Sequence, residues 1–560
     1  MTKSEKWLLL SGTIVLWVFL AFFAGGPIYS DEMLYIDVGL RNLVEPHYGN
    51  RYFHIYLQKF FMSIAPTPLA GIRIFWALLM SLTASLVYLN ARKLVQSSNV
   101  FNGLLAAAFF FSFSIVREYS GEPAVDITAM AVVMIYLTVY LDLIKRGGEG
   151  KYHLFALGLL AFLGLKTKET TIFMHLLLVG LLEKKIFSKG WLGSTLKYFS
   201  PFLIGVAGGI FIFVILDGVF LGRPFFAISP STFIGVFDNY DFTPGFFFGP
   251  TSWYTEYLFD DILLPFSLFL LSGIILREKL DPQKRIIWVY PLIYIAFLSW
   301  NMLKVPWGFI ERFAFPILPV IAVFSAQVVT FQIPKDRKKR LLLGAGLAAM
   351  VLIFFLMRQV WIDTARAYTF DHYRLLESVY FPIVLSILFA TLIWEKGPEW
   401  PKILVQLFCV GTLIFTPLSN NLKYFIQYPQ VQKRFDEVFY PLEVFKPNLT
   451  LDDTDTLYIS TDIKNGMDML SKDPNDISGM INFYYDEKYD SENIFVGYDR
   501  KKVAADLINR SFDFAMLTAS DLSSLQNSSA WQKISEQYQK IFSDEAGTIY
   551  LLKRESPPIF

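Results

Sequence analysis

Apolar runs of spanning length recur through the first three quarters of the chain. They fall near 7–28, 69–90, 100–116, 123–144, 152–165, 171–183, 197–220, 258–276, 286–303, 313–332, 341–360, 377–394 and 402–418. A bilayer needs about 17–25 apolar residues per helix, so these runs predict about thirteen spanning helices. The runs at 152–165 and 171–183 are short for the task. The polar stretches between runs alternate in kind. Every second one is short and basic: Lys3 and Lys6; Arg92 and Lys93; Lys145, Arg146 and Lys151; Lys184, Lys185, Lys189 and Lys197; Arg277, Lys279, Lys284 and Arg285; Lys335 through Arg340; Lys396 and Lys402. Cytoplasmic loops carry the Lys/Arg excess, so the N-terminus is expected inside and the chain after the last run outside. The remaining stretches, 29–68, 117–122, the turn 166–170 and 221–257, are then outer loops.

Beyond residue 419 the pattern changes. Strand-like runs at 456–460, 493–497, 512–517 and 548–552 alternate with helix-like segments near 462–471, 500–510 and 530–540. Strands alternating with helices predict an α/β domain with a largely parallel sheet. The expected organisation is a transmembrane domain over 1–418 and an extracytoplasmic α/β domain over 419–560.

Composition agrees with the pattern. Hydrophobic residues make up 54% of the 560, charged residues 18%, and mean hydropathy is +0.43. Soluble domains carry roughly 25% charged residues, so this is the composition of a polytopic membrane protein. A net charge of +1 provides no basic field for nucleic acid. The single cysteine, Cys409, excludes an intrachain disulfide. The first run has no small-x-small cleavage site after it and reads as an uncleaved span.

The candidate chemistry gathers on the outer side. Asp31 and Glu32 follow the first run and could accept a proton from an attacking hydroxyl or hold a metal. Read alone, they are also an ordinary acidic pair at a helix end. Glu118, Glu122 and Asp126 surround the next outer loop. Glu122 and Asp126 are four residues apart, one face of a helix starting near Pro123. Asp126 lies inside an apolar run, and an intramembrane carboxylate points to function. Lys166-Thr167-Lys168-Glu169 puts three charges in four residues at a bilayer edge, where lysine suits a phosphate as a compact point charge. The alternative is a lysine paired with Glu169. Arg312, before Pro316-Ile317-Leu318-Pro319, is an arginine at the outer end of a helix expected to be kinked. Of five histidines none has zinc-type spacing; His54 shares the first outer loop with the carboxylates and with Arg51.

In order and side, these motifs resemble the polytopic glycosyltransferases of the C superfold (GT-C), and among them the protein O-mannosyltransferases and the aminoarabinose transferases that modify lipid A. The match rests on Ser30-Asp31-Glu32, the segment Glu118–Asp126, Lys166–Glu169 and Glu311-Arg312-Phe313-Ala314-Phe315-Pro316-Ile317-Leu318-Pro319. The resemblance implies sugar transfer on the outer face from a polyprenyl-phosphate-linked donor to a hydroxyl on lipid, polysaccharide or protein. It implies Asp31 as base beside Glu32, Glu122 or Asp126 as second-loop acid, and Lys166, Lys168 and Arg312 at the donor phosphate. Arg51, His54 and Glu118 are expected as further substrate contacts, with an ordinary loop histidine the other reading of His54. It leaves open a Mg or Mn ion between Asp31 and Glu122. The His-Pro-Pro-Leu-like segment of many relatives is missing; here the loop reads Arg51-Tyr52-Phe53-His54-Ile55-Tyr56. The competing reading is a transporter or flippase of lipid-linked substrates, against which stands the lack of an inverted repeat.

Overall fold

In this computed structural model the described residues are 3–23, 32, 35–36, 38–39, 42, 44, 50–66, 68–95, 100–113, 116, 124–182, 191–232, 263–276, 280–299, 314–329, 345, 455–460, 493–497, 500–543, 547 and 549–555. They fall into two compact units: 1–24 with 46–54 and 76–426, and 25–45 with 55–75 and 427–560.

The helices of the apolar part whose bounds fall within the described residues are α1 (Lys3–Phe23), α2 (Tyr52–Ile64), α3 (Pro68–Leu94), α4 (Val100–Ser112), α5 (Val125–Lys145), α6 (Lys151–Leu165), α7 (Leu176–Leu182), α8 (Trp191–Leu221), α9 (Leu263–Ile275), α10 (Pro282–Ser299) and α11 (Leu318–Val329). The first ten apolar runs fall on these helices; those at 341–360, 377–394 and 402–418 lie outside the described residues. Among the described residues, α1, α3, α5 and α8 are long and apolar enough to cross a membrane. One of the two short runs has a structural reason. Glu169–His175 winds as a 3-10 helix and passes directly into α7. A second departure is α2, thirteen helical residues inside the loop expected over 29–68.

Within the first unit, α5 is deeply enclosed. Sixteen of its residues are buried, Asp126 and Thr128 among them. Its helical geometry begins at Val125, with Ala124 extended before it. Asp126 therefore sits in the first turn, near the positive end of the helix dipole, and not a turn deeper as a start near Pro123 would place it. Polar side chains tie other helices together. Asn102 of α4 donates to Gln327 of α11 (3.2 Å), whose own amide donates to the Ala91 carbonyl of α3 (2.7 Å). Helix α11 is not kinked by its Pro-x-x-Pro segment. Pro316 lies in the turn before it and Pro319 in its first turn, where a missing N–H costs nothing.

Helices α6 and α8 approach closely. An added Cβ on Gly158 would lie 1.9 Å from the Phe202 carbonyl oxygen, and one on Gly205 would lie 2.0 Å from that of Phe155. Gly209, one turn beyond Gly205, faces Phe162 at 2.9 Å. Small residues let backbones meet where lipid removes the usual hydrophobic drive between helices.

In the second unit, β1 (Leu457–Ile459), β2 (Ile494–Val496), β3 (Phe514–Thr518), β4 (Tyr538–Ser543) and β5 (Ile549–Arg554) form one sheet, in the order β2-β1-β3-β5-β4. Helices α12 (Val503–Arg510), α13 (Ala519–Gln526) and α14 (Trp531–Gln537) connect them. The expectation of a largely parallel sheet needs correction. Strands β2, β1 and β3 run parallel, but β5 pairs antiparallel with β3 and with β4. The cause is α14, which ends at Gln537 so that the run expected as helix over 530–540 turns into an edge strand. The helix-like segment 462–471 lies outside the described residues. One sheet face packs Tyr458, Ala515, Leu517 and Leu552 against Val503, Leu507, Leu525 and Ile534. Thr518 caps α13 reciprocally with Asp521, satisfying helix N–H groups that have no internal partner.

Candidate functional site

The site is built around the turn that joins α6 to the 3-10 helix. Helix α6 ends because its last carbonyls are taken locally. Lys166 N–H donates to Phe162 (3.0 Å), and Thr167 and Lys168 N–H both donate to Gly164 (2.8 and 2.9 Å). Lys168 is then extended (φ −164°, ψ 136°), which reverses the direction of its side chain relative to Lys166. Thr171 restarts the winding: its N–H and hydroxyl both donate to the Lys168 carbonyl, at 3.1 and 2.8 Å. The alternation Lys-Thr-Lys-Glu thus becomes three charged side chains sent to three different partners.

Lys168 Nζ forms an ion pair with Asp126 Oδ1. Both side chains are almost fully buried, 3% and 0% exposed. Such a pair persists only with close geometry, because removing two charges from water is expensive. Glu169 takes the Arg51 guanidinium in a two-pronged bridge, Nη1 to Oε2 and Nη2 to Oε1, the second at 3.1 Å. Lys166, fully buried, donates to Asn50 Oδ1 at 3.3 Å. Its main-chain carbonyl accepts from Phe53 N–H at 2.9 Å. His54 Nδ1 shares a 2.7 Å hydrogen bond with the Thr128 hydroxyl, both buried.

Burial holds the Lys166 ammonium down to about 8, an effect partly offset by the Asp217 carboxylate. Lys166 lies in the turn, outside the apolar runs. The unfolded chain protonates this lysine near 10.5. Between pH 8 and 10.5 the unfolded state therefore carries the proton and the folded state does not, so folding stability rises with pH across that window. Below 8 the full penalty applies. Lys166→Met should accordingly stabilise the protein at pH 7, by no more than about 2 kcal/mol once the lost hydrogen bond to Asn50 is counted. The advantage should fade as pH approaches 10.5. Melting curves of the two proteins from pH 7 to 10.5 check this; a variant less stable at every pH would rule it out.

Of the residues singled out in the sequence, Arg51, His54, Asp126, Lys166 and Lys168 are brought together here. Glu32 belongs to the other unit, where it is buried and accepts from Gln58 Nε2 at 3.3 Å. Asp31, Glu118, Glu122 and Arg312 lie outside the described residues, and with them the Asp31–Glu122 metal expectation. Among the described residues no three His, Cys, Asp or Glu side chains converge as metal ligands. Sequence reasoning missed Asn50, Thr128 and Asp217. Asp217 was legible: it is a carboxylate inside an apolar run, the signal that picked out Asp126. Asn50 and Thr128 carry no such signal, being uncharged residues whose role exists only through their partners.

Residues 52–216 match the family described as dolichyl-phosphate-mannose-protein mannosyltransferase. No curated protein matches the chain. Among solved structures, ArnT from Cupriavidus metallidurans bound to undecaprenyl phosphate is similar at TM-score 0.57 and 11% identity, covering 100% of this chain and 99% of that one. The same protein in its apo state is similar at TM-score 0.55 and 12% identity, covering 98% of each chain. The chain thus shares a polytopic helical fold with ArnT, and its residues 52–216 are similar to the mannosyltransferase family. At these identities the structural likeness speaks for the fold alone.

Proposed function

We propose that this chain is an integral membrane glycosyltransferase that moves a sugar from a polyprenyl-phosphate-linked donor to an acceptor hydroxyl on the extracytoplasmic face. The observation that carries this reading is a coincidence of position. The segment matching the mannosyltransferase family, 52–216, contains His54, Asp126, Lys166, Lys168 and Glu169, the side chains around the buried turn. Undecaprenyl phosphate bound to ArnT, which shares the fold, supports a polyprenyl phosphate as the donor's carrier.

The chemistry asks for three things: a base for the acceptor hydroxyl, cations to offset charge on the departing phosphate, and exclusion of water. Asp31 is our base, with Glu32 adjacent. Lys166, Lys168 and Arg312 serve the phosphate. Asp126 is engaged by Lys168, which favours Glu122 over Asp126 as the second-loop acid. Attack opposite the phosphate inverts the anomeric centre. If a divalent ion takes part, Asp31 and Glu122 would hold it, with oxygen ligands suited to Mg or Mn. The wider arrangement in this reading is about thirteen spans over 1–418, a cytoplasmic N-terminus and an outer domain over 419–560.

The test is transfer of a labelled sugar from polyprenyl phosphate by the purified chain in proteoliposomes. Asp31→Asn and Glu122→Gln should each abolish transfer while leaving the protein folded. Undiminished transfer in both would remove the mechanism, and donor movement across the bilayer without transfer would make the chain a flippase.

A further inference from the structure

The first turn of α2 docks on the Lys166–Glu169 turn through both backbone and side chains. Phe53 is the second residue of α2, so its N–H has no acceptor within its own helix. Lys166 stands at the C-terminal cap of α6, where carbonyls lack internal donors. The 2.9 Å bond between them lets each helix end complete the other. It also brings the positive end of one helix dipole to the negative end of the other. Two residues before α2 reach the same turn: Asn50 at the Lys166 ammonium, 3.3 Å away, and Arg51 at Glu169. Lys166 is thus held at its carbonyl and at its ammonium by the start of α2.

The Arg51–Glu169 bridge closes this docking from outside. Its side chains are 18% and 19% exposed, against 3% and 0% for Lys168 and Asp126. It is bidentate, which fixes orientation as well as distance. An arginine engaged on both prongs by a carboxylate of the same turn is poorly disposed to receive an anionic substrate.

We propose that Arg51 is a positioning residue that acts through Glu169: the pair clamps the start of α2 onto the turn and so sets where Lys166 stands. This rests on the reading of the chain as a glycosyltransferase with Lys166 at the donor phosphate, and replaces the substrate contact expected of Arg51.

The experiment compares Arg51→Gln, Glu169→Gln, the double variant and the exchanged pair Arg51→Glu/Glu169→Arg. Each is purified as a folded, monodisperse fraction and assayed for sugar transfer and for unfolding midpoint. Displacing a group by about 1 Å lowers turnover by up to about a hundredfold. Both single variants should therefore lose about tenfold to a hundredfold in kcat, the double variant no more than either, and the exchanged pair should recover most of it. A role confined to folding would change the yield of the folded fraction but not its kcat. If Arg51 touches substrate instead, Arg51→Gln lowers activity, Glu169→Gln does not, and the exchanged pair stays inactive; that result overturns the clamp. The unfolding midpoints decide independently of activity. Coupled losses support the clamp and additive ones overturn it, even if the unaltered chain transfers no sugar and the functional reading fails.

Discussion

Asp126→Ala should destabilise the helical unit by about 3–5 kcal/mol, the range for a buried ion pair deprived of one partner. The cause is the charge left behind. The Lys168 side chain is only 3% exposed, and without Asp126 its ammonium loses the anion it meets there. The Lys168 backbone is pinned by Thr171, so the side chain has little room to swing out. Replacing both partners by apolar side chains of similar volume, Asp126→Leu with Lys168→Met, should bring stability back to within about 1 kcal/mol of the parent or above it. Sugar transfer should stay lost in that double variant if the pair also serves the reaction. Denaturant unfolding in detergent, followed by tryptophan fluorescence, gives the comparison. An Asp126→Ala protein as stable as the parent would mean that the pair does not exist in solution.

Gly158→Ala and Gly205→Ala should each cost about 3 kcal/mol or more, at or beyond the upper end for overpacked sites. The added methyl would stand 1.9 or 2.0 Å from a carbonyl oxygen of the facing helix. Backbone cannot step aside as a long side chain can, so α6 and α8 must separate. Separation withdraws Phe213 of α8 from its edge contact with Phe162 of α6, 5.5 Å between centroids. Gly193→Ala provides the control. It lies on α8 with nothing within 4 Å of an added Cβ, and in a helix alanine is favoured over glycine by about 1 kcal/mol. It should be neutral or mildly stabilising. Similar thermal midpoints for all three variants would show that the two helices are not in close contact.

What could be read from the residues beforehand follows a physical division. Runs of apolar residues reveal helices because each must satisfy its backbone internally and face lipid or other helices. The first ten runs fall on helices for that reason. The close crossing of α6 and α8 was readable too, in Gly205-Val206-Ala207-Gly208-Gly209, a G-x-x-x-G spacing. The 3-10 winding of 169–175 was not, because it depends on how Gly164 and Lys168 receive the chain. Nor was the strand Tyr538–Ser543, since Tyr538-Gln539-Lys540 continues a helical run and only pairing with β5 decides the matter. In the candidate site, charge made Lys166, Lys168 and Asp126 conspicuous. Which cation meets which anion was not legible. Local spacing suggests Lys166 or Lys168 with Glu169, whereas the long-range pairs Lys168–Asp126 and Arg51–Glu169 form because α5 places Asp126, and the start of α2 places Arg51, at the turn.

The 3-10 stretch carries one more consequence. Seven residues rise about 14 Å as a 3-10 helix but about 10.5 Å as an α-helix. Between the anchored Lys168 and the start of α7 it works as a spacer of set length. Rewinding it would shorten the path by about 3.5 Å, a displacement larger than the usual length of an N–H···O hydrogen bond. The register of α7 and the pairing of Lys168 with Asp126 are therefore a single geometric condition: the chain can satisfy both only with the tighter winding.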